Sequence, residues 1–188
     1  MEGAKLANAG PLGLAGFGMT TMILNIHNTG YFPMATSIMA MGIFYGGIAQ
    51  IIAGILEFKN GNTFATTAFI SYGSFWLTLV FILVAKGLPE TSAAFLGWYL
   101  FLWGLFTFFM WFGTFRSNRV LQFVFFSLTI LFWLLAISEW FGAPTVGHVA
   151  GWIGLACGFA AFYLAMAEVI NESRGKTVLP IGQPRALS

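Results

Sequence analysis

The chain has 188 residues, of which 59% are hydrophobic and only 7% charged, with a formal net charge of +2. Soluble domains carry about 25% charged residues, so this composition excludes a water-coated globule and indicates a polytopic membrane protein. Eight scattered Lys and Arg make no phosphate-tracking stripe, which excludes nucleic-acid binding as a main activity.

The stretches 6–56, 60–85, 91–115, 120–138 and 140–167 contain no Asp, Glu, Lys or Arg. Each is close to or longer than the roughly 20 apolar residues that cross a bilayer. The first is too long for one helix and breaks at His27-Asn28-Thr29-Gly30-Tyr31-Phe32-Pro33, where Gly and Pro end helices and Asn tolerates turn geometry. Further breaks fall at Glu57–Asn62, Lys86–Ser92, Phe115–Asn118 and Gly142–Gly147. The chain therefore reads as all-α, with six spans near 11–27, 34–56, 64–85, 93–114, 119–140 and 147–170. They form one transmembrane domain over residues 1–171, followed by a short, loosely ordered tail over 172–188.

The first span opens Asn8-Ala-Gly-Pro11-Leu12-Gly13-Leu14, with Pro where a first helical turn accepts it and Asn8 or Gly10 as cap. From Pro11 to Ile26 there are 16 residues, or about 24 Å of helix, against a hydrocarbon core of roughly 30 Å. Two readings stay open. Either the helix N-terminus sits inside the membrane profile as an anion site, or a short helix thins the bilayer. Thr21, Asn25 and Asn28 form a polar row on this span, Thr67, Ser71, Ser74 and Thr78 form a stripe on the third, and Gln50 and Gln122 are lone amides. Such groups serve either a path for a small polar solute or close helix packing. Pairs such as Gly42/Gly46, Ala49/Ala53 and Gly154/Gly158, among 23 glycines, indicate tightly packed and oligomeric helices.

Glu57, Glu139 and Glu168 fall near span ends, where each is expected to reach water, and His27 and His148 lie at the opposite membrane face. The lone Cys157 has no disulfide partner within the chain. No catalytic constellation, phosphate loop or metal cluster appears, so no enzyme, cofactor or metal is expected. No cleaved signal peptide is expected either, since Lys5 alone precedes the first apolar run. Lys5, Lys59, Arg116, Arg119, Arg174, Lys176 and Arg185 fall on one side and Lys86 on the other. That asymmetry places both termini in the cytoplasm and the chain in the cell (inner, cytoplasmic) membrane.

Three similar segments recur. Asn8 leads to Phe17-Gly18, Asn62 to Tyr72-Gly73 and Asn118 to Leu128-Thr129, with offsets of 55 and 56 between the second elements. Gly42, Gly97 and Gly151 recur in the even spans. The expected architecture is three pseudo-repeated hairpins around a central pathway. It brings Phe17, Tyr72 and Leu128 to one depth, as a gate or as a plugged core.

The segment Asn8–Leu14 resembles the N-P-A-P-L-G-L signature of the acetate uptake transporter family, the succinate–acetate permeases. Ala9 and Gly10 depart from that signature at the helix start. Gly42-Ile-Phe-Tyr-Gly-Gly-Ile-Ala-Gln50, Ala53-Gly-Ile-Leu-Glu57, Ser71-Tyr-Gly-Ser-Phe-Trp76 and Gln122-Phe-Val-Phe-Phe-Ser-Leu-Thr129 carry the likeness along the chain. The resemblance implies a homo-hexamer in the lipid bilayer with a pathway in each six-helix protomer. It also implies transport of acetate and similar small carboxylates, with succinate in some members, and a constriction of Phe17, Tyr72 and Leu128. Capture of the carboxylate is expected at Asn8, Pro11, Leu12, Gly13 and Leu14, assisted by Thr20, Thr21, Gln50 and Ser71. At the apolar neck it passes either as the neutral acid or with a hydrogen bond from the Tyr72 hydroxyl. Proton-coupled carrier and channel both remain open. The alternatives are a channel for a small neutral solute such as urea and a non-transporting scaffold, which needs no cavity.

Overall fold

The computed structural model describes residues 6–183. Lys5 and Arg185, used in the charge count, and the last five tail positions lie outside the described residues. Seven α-helices follow in order: α1 (Gly10–Asn28), α2 (Thr36–Ile43), α3 (Gln50–Lys59), α4 (Thr63–Val84), α5 (Ala93–Gly113), α6 (Arg119–Phe141) and α7 (Pro144–Arg174). A π-helical turn, Phe44–Ala49, joins α2 to α3, so that Thr36–Lys59 is one 24-residue rod. Among the described residues five helices are long and apolar enough to cross a membrane. Helix α1 has 19 residues, or about 28 Å. It starts one residue earlier and ends two residues later than the Pro11–Ile26 core.

The helix limits follow from local chemistry. Asn62, Ser92 and Asn118 cap α4, α5 and α6 by accepting from the N–H groups of Ala65, Phe95 and Leu121. Gly142 and Gly175 end α6 and α7 with left-handed φ values of 56° and 61°. At the start of α1, Ala9 has no side chain to offer as a cap.

The polar helix α1 is also the central one, which is how Thr20, Thr21 and Asn25 come to be buried. It packs most extensively along α7, while α5 is peripheral and leans on α6. Glycine makes the central contact possible: a Cβ on Gly158 would lie 2.8 Å from the Gly18 carbonyl oxygen, and one on Gly18 2.7 Å from that of Gly158. A side chain at either position must push backbone, not a flexible side-chain tip. Gly158→Val is therefore expected to destabilise the bundle by about 3 kcal/mol. Thermal unfolding of the detergent-solubilised protein measures this, and an unchanged melting temperature would mean that α1 and α7 are not this close.

The tail differs from its expected loose state. Asn171 Oδ1 accepts from the N–H groups of Val178 and Leu179 at 2.7 and 2.9 Å, and its Nδ2 donates to the Leu179 carbonyl at 2.8 Å. The Tyr163 hydroxyl donates to the Pro180 carbonyl at 2.7 Å. The N–H groups of Arg119 and Val120 then donate to the carbonyls of Gly182 and Ile181. The physical reason is that the first turn of α6 has free donors that need acceptors, and the returning chain supplies them.

Candidate functional site

The face that carries the described ends of the chain opens into a vestibule of ≈ 320 Å³ between the start of α1, the α3–α4 turn, α6 and the end of α7. Next to it lies a small chamber of ≈ 20 Å³, lined by Leu14, Phe17, Gln50, Tyr72, Phe125 and Leu128 among others. Leu14, Ala68, Phe69 and Phe125 line both spaces, so the two adjoin. A water needs roughly 10–15 Å³ of such space, so the chamber has room for one water and is closed to a carboxylate in this state.

Phe17, Tyr72 and Leu128 thus line one small cavity. The rings of Phe17 and Tyr72 lie 5.7 Å apart at an interplanar angle of 50°, and Phe125 adds an edge-on ring 6.0 Å from Tyr72. The Tyr72 hydroxyl does not add polarity to the neck. It donates to Thr107 Oγ1 on α5 at 2.9 Å, and Thr107 in turn donates to the Trp103 carbonyl at 2.7 Å. A buried phenol needs such a partner, and the proton that sequence reasoning offered to the solute is committed there.

Gln50 is the polar group that remains. Among the residues lining the chamber it carries the single amide; it is 1% exposed, and its Oε1 has no hydrogen-bond partner. A π-helical turn, Phe44–Ala49, immediately precedes it. That wider turn also brings α1 close, since a Cβ on Gly16 would lie 2.7 Å from the Tyr45 carbonyl oxygen. An unpartnered buried amide is costly, and π-helical turns often mark functional sites.

At the vestibule, the start of α1 is already engaged. The Ala9 N–H donates to Glu57 Oε1 at 3.0 Å, and the Gly10 N–H to Asn8 Oδ1 at 2.9 Å. Glu57 also accepts from Asn60 Nδ2 at 3.1 Å and Asn62 Nδ2 at 2.9 Å. The protein's own carboxylate thus occupies part of the helix terminus expected for a solute anion. The sequence reading gave Glu57 access to water, yet it is 3% exposed. Its burial follows from donors on the α3–α4 turn and from a chain segment 48 residues away. Glu168, on α7, accepts from Asn8 Nδ2 at 3.3 Å.

The other expected contacts divide. Asn8 and Leu14 line the vestibule. Pro11 is buried, Gly13 abuts the Phe69 ring, and Thr20 abuts Gly46, with its hydroxyl 3.4 Å from the Met41 carbonyl. Thr21 is buried with an unpartnered hydroxyl. Leu12 faces a separate groove beside Leu6, Leu56 and Lys59. Ser71 opens on a lateral groove with Tyr99, Trp103 and Phe106, away from the neck. In the same stripe Ser74 and Thr78 bond carbonyls of their own helix, which is the packing arrangement. Ala68, Phe69 and Phe125 line both cavities without having been singled out, because nothing distinguishes them within apolar runs. Among the described residues no three His, Cys, Asp or Glu gather to hold a metal.

The chain is similar to known proteins. The chain is 64% identical, over 97% of its length and 99% of the relative's, to a succinate-acetate/proton symporter, SatP, of Escherichia coli strain K12. It is 32% identical, over 96% of its length and 67% of the relative's, to acetate permease A of Emericella nidulans. A solved structure described as the bacterial acetate channel SatP superposes with a TM-score of 0.93 at 65% identity, covering 95% of this chain and 100% of that one. These relatives are transporters or channels and not enzymes. The family model described as the GPR1/FUN34/yaaH family matches residues 1–183, and the chain belongs to that family.

Proposed function

We propose that this protein moves acetate and similar small carboxylates, succinate among them, across the cell membrane through a pathway within each protomer. The observation that carries the proposal is a vestibule that adjoins a small, mostly apolar cavity whose lining includes one buried amide, Gln50. A carboxylate entering the neck loses water and needs donors in its place. The Gln50 side-chain NH₂ has two N–H donors to offer, whereas the Tyr72 proton is held by Thr107. The scheme needs the Phe17, Tyr72 and Leu128 side chains to move apart as the solute passes, because the chamber holds only ≈ 20 Å³. Three pseudo-repeated hairpins, assembly as a hexamer and both termini in the cytoplasm belong to the same proposal. Long, apolar and partly exposed helices support the membrane setting.

Uptake of labelled acetate and labelled urea into proteoliposomes, with and without an inward-acid gradient, tests the reading. A protein-free control is essential, because neutral acetic acid crosses lipid unaided. Acetate uptake above that control is the expected result, and urea flux alone would replace this reading with a neutral-solute channel. A gradient that accelerates uptake beyond its effect on the control indicates proton coupling. In the same assay Tyr72→Phe is expected to stay within about twofold of the wild-type acetate rate while costing about 1 kcal/mol of stability. A tenfold slower rate at unchanged stability would return the hydroxyl to the pathway.

A further inference from the structure

Two carboxylates from different helices line the vestibule, Glu57 on α3 and Glu168 on α7, and no Lys, Arg or His is among its lining residues. Their situations differ. Glu57 is enclosed and engaged by three donors. Glu168 is half-buried and has one long contact, from Asn8 at 3.3 Å, so its remaining lone pairs face the cavity. Glu172, one turn further along α7, is exposed and outside the lining. Lys59 lines a neighbouring groove on the other side of Asn8. A smaller cavity, lined by Gln50, Phe17, Tyr72 and Leu128 among others, shares Leu14 and Phe125 with the vestibule. A solute bound for that cavity from this side passes Glu57 and Glu168.

We propose that Glu168, backed by Glu57, is a specificity-determining residue that sorts carboxylates by net charge, admitting monoanions in preference to dianions. The inference rests on the transport reading above. Size does not sort the two at this point, because ≈ 320 Å³ accommodates a four-carbon diacid as well as acetate. Charge does, because a fixed carboxylate repels a dianion twice as strongly as a monoanion at the same distance.

The test uses full-length wild-type protein, Glu168→Gln and Glu172→Gln in proteoliposomes at neutral pH, where succinate is a dianion. Labelled succinate and acetate fluxes are measured against protein-free vesicles. Absence of wild-type acetate flux above the control defeats the transport reading itself and is thereby distinguished from failure of this inference. Glu168→Gln keeps the side-chain shape and an acceptor for Asn8. It is expected to raise the succinate-to-acetate flux ratio about fivefold, the effect of one removed charge on one extra substrate charge at about 8 Å and an effective dielectric of about 40. Glu172→Gln is expected to leave the ratio at the wild-type value. For wild-type protein, raising the salt concentration is expected to raise the ratio by screening, a readout that needs no variant to fold. An unchanged ratio in Glu168→Gln, an equal rise in Glu172→Gln, or a salt-independent wild-type ratio would each overturn the proposal.

Discussion

Replacing Gln50 with Leu is expected to make the protein more stable and, at the same time, a slower acetate transporter. The side chain is 1% exposed, its carbonyl is unpartnered, and it sits among apolar walls. Leu fills a similar volume and removes a polar group that the fold leaves unsatisfied, so stability should rise by about 1 kcal/mol. The same change removes the donor expected to replace lost water around a carboxylate. A hydrogen bond to a charged group contributes about 1.5–3 kcal/mol, which corresponds to a rate loss of about ten- to hundredfold. Opposite signs for stability and rate separate a functional amide from a packing one. Thermal unfolding and labelled acetate uptake on the same preparation measure both. A destabilised Gln50→Leu protein would show that the amide has a structural partner, and an undiminished acetate rate would remove it from the pathway.

A large stability loss is expected at Glu57. Glu57→Ala leaves the buried Ala9 N–H without an acceptor and releases Asn60 and Asn62, whose donors then turn to water. The lost charge-assisted bonds outweigh relief from burying a carboxylate, for a net cost of about 3 kcal/mol. In a chain of this size that lowers the melting temperature by about 6–12 °C. Glu57→Gln should lose less, because one oxygen still accepts from Ala9 while its amide group faces the asparagine donors. Equal melting temperatures for wild type and Glu57→Ala would mean that the start of α1 is held by other contacts.

These two residues also mark where sequence reasoning stops. Helix limits were legible because their signals are local: Asn62, Ser92 and Asn118 cap helices within three residues, and Gly142 turns left-handed where α6 ends. Phe17, Tyr72 and Leu128 were singled out by the spacing of three similar segments, and all three line one small cavity. The direction of the Tyr72 hydroxyl was not, because its partner Thr107 lies 35 residues away on another helix. Ser71 and Tyr72 are neighbours in sequence, yet a helix turns about 100° between them, and they serve different faces. Gln50 was legible as an amide worth noting, but the π-helical turn over Phe44–Ala49 that precedes it was not, because the glycine pair there permits such a turn without specifying it. Burial of Glu57 and docking of the tail depend on contacts across the sequence, from Ala9 to Glu57 and from Arg119 to Gly182. Composition described both segments as polar ends and said nothing of what they touch.

The central claim is that a carboxylate at the neck is held by the Gln50 amide. Dipolar recoupling between ¹³C-carboxylate acetate and ¹⁵N-glutamine side chains, recorded on the protein in lipid, tests it most directly. Wild-type protein is expected to show dephasing that corresponds to a separation within about 4 Å, as a hydrogen-bonded carboxylate requires, and Gln50→Leu is expected to lose it. Equal dephasing in both proteins, or none in a wild-type sample that transports acetate, would contradict the account.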